Sequence, residues 1–105
     1  MELIEFCSVN DLSDGGVMVH DIGEMDIALF RVGDLFFAMN DLCTHGSGSL
    51  SEGYLDGYVI QCDVHDGSFD IRTGEVVSPP CVEPARTYPV TIKNNKVFVE
   101  INDRY

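Results

Sequence analysis

Hydrophobic and polar residues follow the pattern of β-strands along most of the chain. Some runs alternate and others are continuously apolar; they occupy residues 2–6, 16–22, 26–32, 35–40, 53–55, 58–62, 68–71, 75–77, 87–93 and 97–101. Turn signals join four pairs of these runs: Gly33-Asp34, Asp56-Gly57, Arg72-Thr73-Gly74 and Asn94-Asn95. The pattern predicts four hairpins, and we expect one helical turn around residues 8–14. Short strands with frequent turns indicate an all-β sandwich or barrel.

The chain has 105 residues, the length of one domain. Glycine concentrates in the middle of the chain, whereas dense apolar alternation lies towards both ends. We therefore predict a single domain over 1–105, with an antiparallel β scaffold from residues 1–40 and 81–105. Residues 41–80 are predicted to form a small β subdomain inserted into that scaffold.

The charge is strongly negative, with 18 acidic residues against 6 basic ones and a formal net charge of −12. Nucleic acids and anionic membranes are poor partners for such a surface. Two interpretations stay open: the excess only maintains solubility, or it forms an acidic docking face for a basic partner. The N-terminal sequence lacks the features of a secretory signal, and no apolar run reaches the length of a membrane span. A cytoplasmic protein is expected.

Two mixed cysteine–histidine pairs are the main chemical signal. Cys43 and His45 are separated by one residue, Cys62 and His65 by two, and sixteen residues lie between the pairs. In a reducing compartment such pairs favour metal ligation over disulfides. Cys7 and Cys81 have no histidine at ligand spacing, so we interpret them as buried, small apolar side chains. His20, in an alternating strand, is interpreted as a structural histidine.

The ligand types allow two kinds of metal site. Two thiolates and two imidazoles could bind one zinc ion, but structural zinc sites usually pair like ligands in each motif. Here each motif supplies one sulfur and one nitrogen. That distribution suits a two-iron cluster with two cysteines on one iron and two histidines on the other. A zinc-stabilised interaction module remains the alternative.

The two motifs and their surroundings resemble the Rieske proteins over essentially the whole chain. The stretches "CTHGSGSLSEGYLDG" (43–57) and "QCDVHDGSFDIRTGEVVSPP" (61–80) carry the resemblance. It implies a Rieske-type fold and one [2Fe-2S] cluster held by Cys43, His45, Cys62 and His65. It also implies that a loop containing Pro79 and Pro80 covers the cluster. Three glycines, Gly46, Gly48 and Gly67, would let backbone N–H groups approach the cluster sulfurs.

Departures from the high-potential members of that family indicate the subclass. Those members have an additional cysteine in each loop, where this chain has Gly48 and Val64, so the bracing disulfide cannot form. They also place serine and tyrosine hydroxyl groups against sulfur, where this chain has Gly67 and Phe69. Fewer hydrogen bonds to sulfur disfavour reduction, which predicts a potential of about −150 mV.

Short, low-potential chains of this kind resemble the ferredoxin components of bacterial aromatic-ring dioxygenases. The resemblance implies a monomeric, cytoplasmic electron carrier between an NADH-dependent flavin reductase and a terminal Rieske oxygenase. It would not itself be an enzyme, and His45 and His65 would lie at the tip that meets each partner. The alternative within the fold is an electron-transfer or accessory subunit of another oxidoreductase, such as a nitrite reductase small subunit.

Overall fold

A computed structural model describes residues 2–22, 25–42, 49–62, 67–79 and 83–101. These ranges contain β1 (Glu2–Ser8), β2 (Val17–Ile22), β3 (Met25–Val32), β4 (Leu35–Asn40), β5 (Tyr54–Asp56), β6 (Val59–Gln61), β7 (Ser68–Asp70), β8 (Val76–Ser78), β9 (Thr87–Tyr88), β10 (Val90–Lys93) and β11 (Lys96–Ile101). Two single 3₁₀ turns, Val9–Asp11 and Leu50–Glu52, interrupt the strands. The all-β prediction is confirmed, as is the helical turn expected around residues 8–14. No helix within the described ranges is long and apolar enough to cross a membrane.

The strands form three antiparallel sheets. Their orders are β1-β11-β10, β2-β3-β4-β9 and β5-β6-β7-β8. All four predicted hairpins are confirmed, although the tight turn between β5 and β6 consists of Gly57-Tyr58, because Asp56 still belongs to β5. Asn94 and Asn95 both have positive φ, 53° and 64°, as a two-residue turn with the twist of a hairpin requires.

The sheet containing β3 is the middle layer of the domain. Ile27 and Leu29 face a core shared with the three-stranded sheet, whereas Ala28 and Phe30 face a core shared with the β5–β8 sheet. All four side chains are fully buried. A strand that is buried on both faces needs a continuous apolar run, which explains the sequence of β3.

Pro89 divides the apolar run 87–93 into two strands that belong to different sheets. Before it, β9 pairs with β4; after it, β10 pairs with β11. Proline has no N–H to donate to a ladder, so a strand that changes sheets tolerates it at the crossing point. Its carbonyl oxygen still accepts a hydrogen bond from the N–H of Glu100 at 2.9 Å.

Candidate metal centre

Cys62 directly follows β6 and is the predicted ligand that the structure describes. Its side chain is 1% exposed and packs in a core that includes Ile60 and Phe69. The N–H of Cys62 donates to the carbonyl oxygen of Gly67 at 2.7 Å, which closes the base of the segment 63–66. Cys62 forms no disulfide. Burial and this backbone bond fix Cys62 at the start of the second predicted ligand motif, Cys62 to His65.

The other three predicted ligands, Cys43, His45 and His65, lie outside the described residues. Whether the four side chains converge therefore stays a prediction. Gly46, Gly48, Val64, Pro80 and Cys81, which the sequence analysis singled out, also lie outside these ranges.

Hydrogen bonds join the described residues on either side of the first predicted ligand motif, Cys43 to His45. Leu42 and Ser49 form an isolated antiparallel bridge. The carbonyl oxygen of Asp41 accepts the N–H of Leu50 at 2.6 Å, and its carboxylate Oδ1 accepts the N–H of Ser51 at 2.6 Å. Leu50 is fully buried in the same core as Cys62. The same core therefore contains Leu50, which follows the first motif, and Cys62, which begins the second.

A partly buried pair of hydroxyl groups joins β7, which follows the second predicted ligand motif, to the end of β8. Ser68 Oγ and Ser78 Oγ lie 2.7 Å apart and join the start of β7 to the end of β8. The pairing register shifts between Ser68 and Phe69, so Val77 has no partner across the ladder and is 53% exposed. A bulge of this kind redirects a side chain without breaking the strand pair. Pro79, the next residue after β8, is exposed.

Cys7 and His20 have the structural roles that the sequence predicted. The Cys7 thiol is buried, and burial raises its pKa, with a smaller contribution from the negative charge of Asp11. His20 is half-buried; its Nε2 lies 2.9 Å from the carbonyl oxygen of Phe6, and the two rings meet edge to face at 4.5 Å. These contacts give His20 packing and hydrogen-bonding partners within the scaffold.

An ion pair that the sequence analysis did not predict, Asp70 and Arg72, lies at the end of the β5–β8 sheet away from Cys62. The Arg72 guanidinium donates two hydrogen bonds to the Asp70 carboxylate, at 3.0 and 2.8 Å, and lies 4.3 Å from the centre of the Tyr58 ring. These side-chain hydrogen bonds are the main reason why the pKa of Asp70 is lowered. The alternate spacing in "DIR" is a signal that could have indicated the pair. Asp70 is committed to Arg72 and is not a metal ligand candidate.

The layered β fold and the buried, free thiol of Cys62 agree with the Rieske-type protein that the sequence indicated. The family model for the Rieske [2Fe-2S] domain matches residues 2–89. The chain belongs to this family, and the resemblance seen in the sequence is confirmed.

The chain is also similar to individual proteins. The chain is 43% identical to the biphenyl dioxygenase ferredoxin subunit of Pseudomonas sp. strain KKS102, over 97% of this chain and 94% of that one. It is 41% identical, with a TM-score of 0.89, to a chain in the solved complex of reduced oxygenase and oxidised ferredoxin in carbazole 1,9a-dioxygenase; the match covers 92% and 91% of the two chains. A solved candidate nitrite reductase small subunit is 20% identical with a TM-score of 0.80, covering 96% of this chain and all of that one, and shows only a shared fold.

Proposed function

We propose that this protein is a low-potential Rieske ferredoxin of an aromatic-ring dioxygenase system. It accepts single electrons from an NADH-dependent flavin reductase and delivers them to a terminal oxygenase. The observation that carries the proposal is the 43% identity to a dioxygenase ferredoxin subunit over nearly the whole of both chains. The similarity to a chain in an oxygenase–ferredoxin complex supports the oxygenase as a partner. The fold-level similarity to a nitrite reductase subunit does not favour that alternative.

The residues of the candidate site fit a [2Fe-2S] cluster. We propose Cys43 and Cys62 as ligands of one iron and His45 and His65 as ligands of the other. Cys62 supports this assignment because it is a thiol outside any disulfide, held at a loop root by a backbone hydrogen bond. When bound, the cluster would supply reversible one-electron chemistry. We also propose residues 41–80 as the cluster-binding subdomain, since β5 to β8 all lie between Tyr54 and Ser78.

The surroundings of Cys62 support a low reduction potential. Ile60 and Phe69 are fully buried beside it and exclude water from this side of the site. The ring of Phe69 has no hydroxyl group to donate to sulfur, and Gly67 has no side chain. Since neither residue can stabilise additional negative charge with a side-chain hydrogen bond, electron addition is less favourable than in a site with serine and tyrosine there.

A carrier of this kind works by transient contact and not by catalysis. We propose a cytoplasmic monomer that visits the reductase and the oxygenase in turn through a small interface at the ligand-loop end. The net charge of −12 would accelerate approach to basic docking surfaces. The chemistry on the aromatic ring would take place in the oxygenase.

Two buried cysteines allow a matched test of the ligand assignment. Cys62→Ala should abolish the visible absorption of the cluster and its iron content, because one iron loses a thiolate ligand. Cys7→Ala is the control, since Cys7 is also buried and free but belongs to the other core. A colourless wild-type protein with bound zinc would contradict the cluster, and an intact spectrum in Cys62→Ala would contradict the ligand assignment.

The carrier role is tested with purified partners. The wild-type protein, reduced by NADH and a dioxygenase flavin reductase, should be reoxidised by a terminal Rieske oxygenase with its substrate and oxygen. Absorbance changes of the cluster measure both half-reactions in a stopped-flow instrument. If a cluster is present but no ring-hydroxylating oxygenase reoxidises it, the dioxygenase assignment is wrong.

A further inference from the structure

Both buried polar residues of the described ranges lie at the root of a predicted ligand loop. Asp41 is 5% exposed and precedes Cys43 by two positions, and Ser68 is 6% exposed and follows His65 by three. Burying a carboxylate is costly unless it is well hydrogen-bonded, so its position requires an explanation.

Asp41 makes three hydrogen bonds, two of which join it to residues that follow the segment 43–48. Its N–H donates to the carbonyl oxygen of Asp26 at 2.9 Å, which anchors it to β3. Its carbonyl oxygen accepts the N–H of Leu50, and its carboxylate accepts the N–H of Ser51, both at 2.6 Å. Asp41 therefore binds both β3 and the residues that follow the segment 43–48.

Among the described neighbours, Leu42 and Ser49 do not perform this task with their side chains. Leu42 is 62% exposed, so its side chain contributes little packing at the loop root. Ser49, the residue before the 3₁₀ turn Leu50–Glu52, makes no side-chain hydrogen bond to the turn. The first N–H groups of a helical turn need acceptors from outside it. Asp41 supplies two of them, one from its backbone and one from its carboxylate.

We propose that Asp41 is the positioning residue of the first ligand loop. Its carboxylate acts as a cap, supplied from across the loop, that fixes Ser51 and hence the geometry in which Cys43 and His45 are presented. This inference rests on the proposed cluster-carrying function. Its action is through the loop backbone and not through contact with the metal.

The variants Asp41→Ala and Asp41→Asn separate the acceptor from the charge. Asp41→Ala removes the acceptor for Ser51, whereas Asp41→Asn retains an amide oxygen at the same place. We expect Asp41→Ala to lose iron to a chelator roughly tenfold faster than wild type or more, the effect of losing a buried hydrogen bond to a charged group. Its reduced form should have a shifted electron paramagnetic resonance signal. Asp41→Asn should restore the wild-type loss rate and signal to within about twofold.

Asp14→Ala is the matched control. The Asp14 carboxylate also accepts a backbone N–H, that of Gly33 at 2.7 Å, but in a turn of the scaffold. We expect its iron loss and signal to match wild type. The proposal is overturned if Asp41→Ala matches wild type, if Asp41→Asn is as impaired as Asp41→Ala, or if Asp14→Ala has the same effect. If Asp41→Ala does not fold, a normal Asp41→Asn still supports the acceptor role, and an impaired one overturns it. A wild-type protein without a cluster would instead contradict the proposed function.

Discussion

Gly53→Ala should damage the cluster site although the changed residue is not a ligand. A Cβ atom at Gly53 would lie 2.0 Å from the carbonyl oxygen and 3.1 Å from the carbonyl carbon of Gln61. Gln61 is the residue before Cys62, so the methyl group would press on the strand that carries the thiol. The φ of Gly53, −85°, is one that alanine adopts readily. The obstacle is therefore the contact and not the backbone conformation.

The magnitude follows from the size of the overlap. The 2.0 Å contact is about 1.4 Å shorter than an ordinary van der Waals contact, and both atoms belong to the backbone or are attached directly to it. Replacing glycine by alanine in open space would stabilise the fold by about 0.4–1 kcal/mol, whereas overpacking costs about 1–3 kcal/mol. The cost of the clash exceeds the gain from replacing glycine, so we expect a net loss of stability of about 1–2 kcal/mol. We also expect a displacement of β6 at Cys62.

Gly57→Ala in the same hairpin separates stability from site geometry. Gly57 has a φ of 61°, and a Cβ there would have no atom within 4 Å. Alanine should cost about 1–2 kcal/mol because it disfavours the left-handed conformation, but without a clash. Urea unfolding should thus show similar losses for the two variants. The visible circular dichroism of the cluster should change only in Gly53→Ala. Equal spectra in both, or a Gly53→Ala protein as stable as wild type, would contradict the predicted clash with Gln61.

Two further experiments test the hydrogen bond between Ser68 and Ser78 and the surface proposed to meet the oxygenase. Ser68→Ala and Ser78→Ala should each destabilise the protein by about 1 kcal/mol by leaving one hydroxyl unpaired, and the double variant should lose less than their sum; additive losses in urea unfolding would show that the pair is not coupled. Tyr54→Ser should slow electron transfer to the oxygenase without changing the reduction potential, because Tyr54 is 69% exposed at the ligand-loop end of its sheet. Ile92→Ser, at an exposed site beside the β10–β11 turn, should leave that rate unchanged, and an equal effect would place the docking surface elsewhere.

The hairpins were predictable because their signals are local. Gly33, Asn94 and Asn95 adopt positive φ within turns that their own sequence indicates. The spacing of the cysteines and histidines is local in the same sense, since each motif spans three or four residues. It was enough to identify the family, which the match over residues 2–89 then confirmed.

The supports of the site were not predictable in this way, because they depend on residues distant in sequence. The carboxylate of Asp41 meets the N–H of Ser51 ten residues later, and no pattern in the sequence selects that pair. The glycine at position 53 is required by Gln61, which reaches it only when β5 pairs with β6. Pro89 likewise shows its role only once the two sheets are formed.

The arrangement of the roots indicates how a glycine-rich site can be held in one geometry. Beside the first predicted ligand motif, Asp41 binds the N–H groups of Leu50 and Ser51. Beside the second, the N–H of Cys62 donates to the carbonyl oxygen of Gly67, and the hydroxyl groups of Ser68 and Ser78 lie 2.7 Å apart. Each of these bonds joins residues of the scaffold, so we expect them to add to the ordering that metal ligands impose on the site. A substitution that removes one of these hydrogen bonds should therefore perturb metal ligation while the domain remains folded.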